Sequence, residues 1–118
     1  MEFLREAIHR AVAGGIGEEM IIVDPGIGFG KTVKHNLRLI KNLRRLAQLG
    51  YPVLVGPSRK SFIGKLLDAP VDHRLEGTAA AVTASILRGA NIVRVHDVKE
   101  MKKVAIVADA LKDDALEI

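Results

Sequence analysis

Three short apolar runs punctuate the chain: Met20-Ile21-Ile22-Val23, Val53-Leu54-Val55 and Ile92-Val93-Arg94-Val95. The first two are continuous rather than alternating, the pattern of parallel strands covered on both faces. The third sets Arg94 between apolar neighbours, so one of its faces must be polar. Helical segments lie between these runs. Thr32 can N-cap a segment in which Leu39, Leu43 and Leu46 recur at helical spacing until Gly50 ends it. Asp97, with Glu100 three residues on, has the form of a capping box and opens the last helix. A helix over residues 2–13 precedes the first strand. Segment 74–88, RLEGTAAAVTASILR, is helical and rich in small residues, which let a neighbouring element approach closely. Strand ends return roughly every 30 to 40 residues, the spacing of βα units in a parallel sheet. With no linker or low-complexity stretch, residues 1–118 read as one unit.

Parallel α/β architectures bind ligands at the carboxyl ends of their strands. All three runs finish in residues such a site could use: Asp24-Pro25-Gly26-Ile27-Gly28-Phe29-Gly30-Lys31-Thr32, then Gly56-Pro57-Ser58-Arg59-Lys60-Ser61, then Arg94-Val95-His96-Asp97. The first invites comparison with a phosphate loop, since Gly30-Lys31-Thr32 matches the end of GxxxxGK[ST]. The opening glycine of that pattern falls on Pro25, which has no N–H for a backbone cradle. The dinucleotide pattern fails too, its third glycine falling on Lys31.

What remains is a glycine-rich turn with one acid and one aromatic. Asp24 can accept paired hydrogen bonds from a ring N–H and an amino group, or it can hold the turn through its own backbone. Phe29, between glycines, is expected at an exposed loop tip as an apolar contact for a flat ligand. Ser58 can cap the helix that follows it. Arg59 and Lys60 then occupy the first helical turn, where cations oppose the macrodipole. Two adjacent cations there point to an anion nearby, or to a lysine donating to ligand acceptors. Arg94 and His96, two residues apart on one strand face, form a pair suited to phosphate or diphosphate. His9, His35 and His73 read as surface residues. No His and carboxylate pair has metal-ligand spacing, so no protein-only metal site is expected.

Composition narrows the partners. The 118 residues are 48% apolar and 27% charged, ordinary for a globular domain. No apolar run approaches the roughly 18 residues of a membrane span, and the N-terminus lacks the apolar core of a secretory signal. There are no cysteines, which fits a cytoplasmic protein and removes disulfides and Cys-ligated metals. The net charge is +4 and aromatics are 3%, so no stacking platform for nucleic acid is expected.

Taken in order, DPGIGFGKT, GPSRKSFIG, GTAAA and RVHDV resemble the closing half of the dihydropteroate synthase family, over nearly the whole chain. The resemblance implies the last three βα units, plus one preceding helix, of a TIM (β/α)₈ barrel. It also implies condensation of (7,8-dihydropterin-6-yl)methyl diphosphate with p-aminobenzoate, giving dihydropteroate and diphosphate. On that footing Asp24 and Lys60 bind the pterin, and Phe29, Ser58 and Arg59 border the p-aminobenzoate. Arg94 and His96 hold the departing diphosphate, so Lys60, Arg94 and His96 carry the catalysis. A complete barrel needs about 250 residues. The earlier strands, with further pterin contacts and the magnesium-binding Asn, are therefore expected outside this chain, which alone should have negligible activity. An open parallel sheet exposes two edges, so a homodimer or a complementing N-terminal fragment is expected. The rival readings are a non-catalytic pterin- or anion-binding module and a phosphate-loop nucleotide-binding protein.

Overall fold

The computed structural model describes residues 2–112. Helix α1 (Glu2–Ala13) is followed by a 3₁₀ turn at Glu18–Met20, then α2 (Val33–Lys41), α3 (Leu43–Ala47), β1 (Leu54–Val55) and α4 (Ser61–Leu67). A second 3₁₀ turn at Val71–His73 leads to α5 (Leu75–Leu87), β2 (Ile92–Val93) and α6 (Val98–Lys112). The strands β1 and β2 pair in parallel, Leu54 with Ile92 and Val55 with Val93. Val23 joins on the other side of β1 through a parallel bridge to Val53. Its N–H donates to Pro52 O at 2.9 Å and its carbonyl accepts from Leu54 N at 2.8 Å.

The first run is thus shorter than its apolar pattern predicts. Met20 closes the 3₁₀ turn, its N–H donating to Gly17 O at 2.9 Å, and only Val23 reaches the ladder. The expectation of cover on both faces also holds for one face only. Val23, Val53 and Val55 point toward the helices and are buried, whereas Ile22 is 53% and Ile92 38% exposed on the alternate face. By the same alternation, Asp24, Gly56, Arg94 and His96 continue that uncovered face.

The core has two lobes. Val23, Val53 and Val55 pack with Ile40, Leu43, Leu46, Phe62 and Ile63 from α2, α3 and α4. Val82 and Ile86 of α5 pack with Met101 and Ala108 of α6, against half-buried Val93 and Val95. The small residues of α5 permit this closeness: a β-carbon on Gly77 would run into the side chain of Ile63 on α4. Thr32 caps α2 as expected, its Oγ1 accepting from His35 N at 3.2 Å. The helix predicted to run on to Gly50 breaks at Asn42, whose side-chain amide donates to Arg38 O at 3.0 Å and competes with the next turn. Gly50 does end the segment, in a left-handed conformation at φ +90°. His9, His35 and His73 are exposed. Among the described residues, no helix is long and apolar enough to cross a membrane.

Candidate functional site

The three strand-end segments converge on one cleft of about 370 Å³. Asp24, Phe29, Ser58, Lys60, Arg94 and His96 line it, with Ile27, Gly56 and Val95 between them. Six of the seven side chains singled out in the sequence therefore meet. The seventh, Arg59, turns away.

The first segment, Asp24 to Thr32, is held by its own groups. Asp24 Oδ1 accepts from Gly26 N at 2.8 Å, closing an Asx turn. Its other oxygen has no hydrogen-bond partner among the described residues. The two readings of Asp24 are thus compatible, since its carboxylate holds the turn and also lines the cleft. Lys31 folds back, Nζ donating to Gly26 O at 2.9 Å and to Phe29 O at 3.3 Å. A phosphate-loop lysine would reach outward to a phosphate instead. Gly28 N donates to Oδ1 of buried Asn36 at 2.8 Å. Gly28 itself sits at φ +90°, and a β-carbon there would lie 2.9 Å from Lys60 Cδ. Its bareness lets the Lys60 stem cross the loop, bringing Nζ to 4.6 Å from the centroid of the Phe29 ring. That ring is 69% exposed, at the loop tip where the sequence predicts it.

The second segment departs from expectation. Helix α4 starts at Ser61 with Lys60 at its N-cap position, so Arg59 and Lys60 precede the first turn rather than occupy it. Ser58 does not cap the helix. Its hydroxyl lies 2.7 Å from His96 Nδ1 and accepts the His96 backbone N–H at 3.0 Å. The polypeptide turns sharply here because Arg59 adopts φ +55°. Its N–H donates to buried Thr78 Oγ1 at 3.1 Å, and its carbonyl accepts from Arg74 Nη1 at 2.8 Å.

The third segment contributes Arg94, His96 and Asp97. Helix α6 opens after Asp97 as predicted, but the carboxylate faces Arg59, at 3.2 Å from Nε and 2.8 Å from Nη2. A bidentate ion pair has outcompeted the local cap. The hydrogen bonds from Arg59 hold the Asp97 carboxyl below the ordinary aspartate range, helped by the charges of Arg59 and His96 and opposed by partial burial. The same pairing raises the Arg59 guanidinium further above its already high value.

Three supporting residues had no functional signal in the sequence: Asn36, Arg74 and Thr78. Thr78 was visible only as one of the small residues in GTAAA. The others looked like solvated helix or loop positions, since their partners lie on segments whose approach no local pattern encodes. Together the site offers two cations, Lys60 and Arg94, an imidazole, a carboxylate and an exposed aromatic ring. That set suits a flat heterocycle joined to an anionic group.

Comparison with known proteins agrees. A family model described as pterin binding enzyme matches residues 1–96. Dihydropteroate synthase of Bacillus subtilis is 49% identical over 108 residues, 92% of this chain and 38% of that protein. The corresponding Synechocystis protein is 50% identical over 111 residues, 93% of this chain and 38% of its own length. The chain thus spans under two fifths of these relatives. A dihydropteroate synthase structure from Coxiella burnetii, in complex with pteroic acid, matches with a TM-score of 0.93 and 40% identity over 95% of this chain and 43% of that one. The Yersinia pestis dihydropteroate synthase matches with a TM-score of 0.91 and 40% identity over 94% of this chain and 52% of that one. These are TIM-barrel enzymes, and the parallel strands and helices of this chain are an arc of that barrel. By the family match and by relatives half identical over nearly its whole length, the chain belongs to the pterin-binding enzyme family.

Proposed function

We propose that this chain forms part of a dihydropteroate synthase, a transferase of folate biosynthesis that joins a dihydropterin methyl diphosphate to p-aminobenzoate. The observation that carries the reading is the meeting of Asp24, Phe29, Ser58, Lys60, Arg94 and His96 around one cleft at the strand ends. The relatives named as that synthase, one of them in complex with pteroic acid, support it.

In this reading the Asp24 carboxylate accepts paired hydrogen bonds from the pyrimidine N–H and amino group of the pterin, and Lys60 donates to its acceptors. Phe29 and Ser58 border p-aminobenzoate. Arg59, with its guanidinium engaged by Asp97, can share in that border only through its aliphatic stem. Arg94 and His96 receive the diphosphate. Ser58 Oγ accepts the His96 backbone N–H, so its own hydroxyl hydrogen can go to Nδ1. That leaves the imidazole proton on Nε2, a donor for a diphosphate oxygen.

The reaction breaks the bond from the methylene carbon to the diphosphate oxygen, and the electron pair leaves with diphosphate. The pterin ring shares the positive charge that develops on carbon. The amine of p-aminobenzoate then supplies the pair for the new C–N bond and loses a proton to diphosphate or water. Fixed cationic donors lower the first barrier because they are oriented before the charge appears. The second step chiefly needs positioning.

Magnesium belongs to the proposal for the whole enzyme, with its Asn ligand in strands outside this chain. Among the described residues no three His, Cys, Asp or Glu side chains cluster as ligands. A homodimer through the outer helices is also proposed. Its support is the apolar groove of about 720 Å³ between α5 and α6, with Val107 and Leu111 largely exposed. A cytoplasmic location accompanies the synthase reading.

Calorimetric titration of the chain with pteroic acid and with inorganic diphosphate tests the site. Binding of both is expected; binding of neither, or of ATP with magnesium instead, overturns the reading. An assay of dihydropteroate formation by a complete barrel carrying this sequence separates a synthase from a module that only binds.

A further inference from the structure

The parallel ladder pairs residues 38 apart, Leu54 with Ile92 and Val55 with Val93. Its last backbone bond runs from Arg94 N to Val55 O at 3.0 Å. Beyond it the same offset continues in side chains: Ser58 meets His96, and Arg59 meets Asp97. The sheet register is thus carried two rungs past the strands, into the segments that line the cleft.

The outer rung is built from a constrained residue. Arg59 holds a left-handed backbone conformation at φ +55°, uncommon for a residue with a side chain. Its N–H is taken by Thr78 and its carbonyl by Arg74, both anchored at the start of α5. So fixed, the guanidinium reaches across to both oxygens of Asp97. Neither residue of this pair lines the cleft, but Ser58 and His96, their immediate chain neighbours, both do.

We propose that Arg59 and Asp97 are positioning residues whose ion pair forms the terminal rung that keeps His96 seated on Ser58, and so presents His96 and Arg94 together to an anionic group. The inference deepens the synthase reading and rests on it for the identity of that anion. The geometry of the rung stands apart from it. Asp97 then acts through His96 rather than as the cap of α6.

The test uses ¹⁵N-labelled imidazole spectra of the 118-residue chain and its affinity for inorganic diphosphate. Asn is as good a helix cap as Asp, so Asp97→Asn removes the ion pair while keeping any capping role. The wild-type chain should show one dominant His96 tautomer protonated on Nε2. In Asp97→Asn the two ring nitrogens should move toward averaged tautomer values, and diphosphate affinity should fall about tenfold, the lower end for losing a residue that orients a ligand-binding side chain. Arg59→Lys, which keeps the charge and loses the fork, should shift both readouts part of the way. Arg59→Gln combined with Asp97→Asn should be no worse than either alone.

Unchanged His96 signals in folded Asp97→Asn overturn the proposal. Should that variant not fold, unchanged signals in Arg59→Lys do the same. If the wild-type chain binds no diphosphate, the synthase reading fails, and the imidazole spectra still decide whether the rung positions His96.

Discussion

The two sides of the cleft are built differently. The Asp24–Thr32 side is tied mostly to itself, through Asp24 to Gly26 and Lys31 to Gly26 and Phe29. Two buried anchors fix it to the body of the protein, Ile27 in the core and Asn36 of α2 accepting from Gly28 N. Its aromatic tip is exposed and meets Lys60 only through a cation–π contact. The opposite side, from residues 57–60 and 94–97, is cross-linked to distant segments by Ser58–His96, Arg59–Asp97, Arg59–Thr78 and Arg74–Arg59. A flat ring can be met by a contact that adjusts. An anion needs donors already in place, because reorganising them would cost the stabilisation they give.

Four experiments put this contrast at risk. The largest effect is expected for Arg94→Ala. Loss of a hydrogen bond between charged partners amounts to about 2–3 kcal/mol, or roughly 30- to 150-fold in diphosphate affinity by calorimetry. Since Arg94 is exposed, stability should barely change. Next is Thr78→Val, which keeps the shape of a fully buried residue but strands the Arg59 N–H. Urea denaturation should show a loss of about 2 kcal/mol, with diphosphate binding weakened and pteroic acid binding less so. The reverse selectivity is expected of Gly28→Ala. Left-handed strain costs about 1–2 kcal/mol, and the new methyl group displaces Lys60 from Phe29, so pteroic acid should suffer more than diphosphate. Equal losses of both ligands in these two variants would dissolve the distinction between the sides.

The smallest effect concerns pH. The Asp97 carboxyl titrates below its unfolded value because Arg59 donates to it. Its stabilisation is therefore fully present above the ordinary aspartate range near pH 4, and is lost as pH falls through the lowered folded value. Thermal melts of wild type and Asp97→Asn should differ at neutral pH and converge under acid. A gap that stays constant down to about pH 2 would mean that the Asp97 charge is not what Arg59 holds.

Much of this was legible in the sequence, for local reasons. The apolar runs at 53–55 and 92–95 yielded paired strands, shortened to 54–55 and 92–93, and helices begin after Thr32 and after Asp97 as expected. Strand ends carry cleft residues in any parallel α/β fold, which is why six of the seven marked side chains meet. The errors have two causes, a competing local turn and a distant partner. Met20 was drawn into a 3₁₀ turn instead of the ladder. The hydroxyl of Ser58 and the carboxylate of Asp97, each predicted as a cap, were taken by partners 38 residues away.

Sequence alone set most of the strand and helix segments, and which side chains stand at the strand ends. Periodicity, capping residues and glycine placement act over a few residues and are written in neighbouring letters. Tertiary packing chose who holds whom: Lys60 over Phe29, His96 on Ser58, and Arg59 on Asp97 rather than in the cleft. Those choices depend on the register between strands, which the packing of the whole sheet against its helices sets.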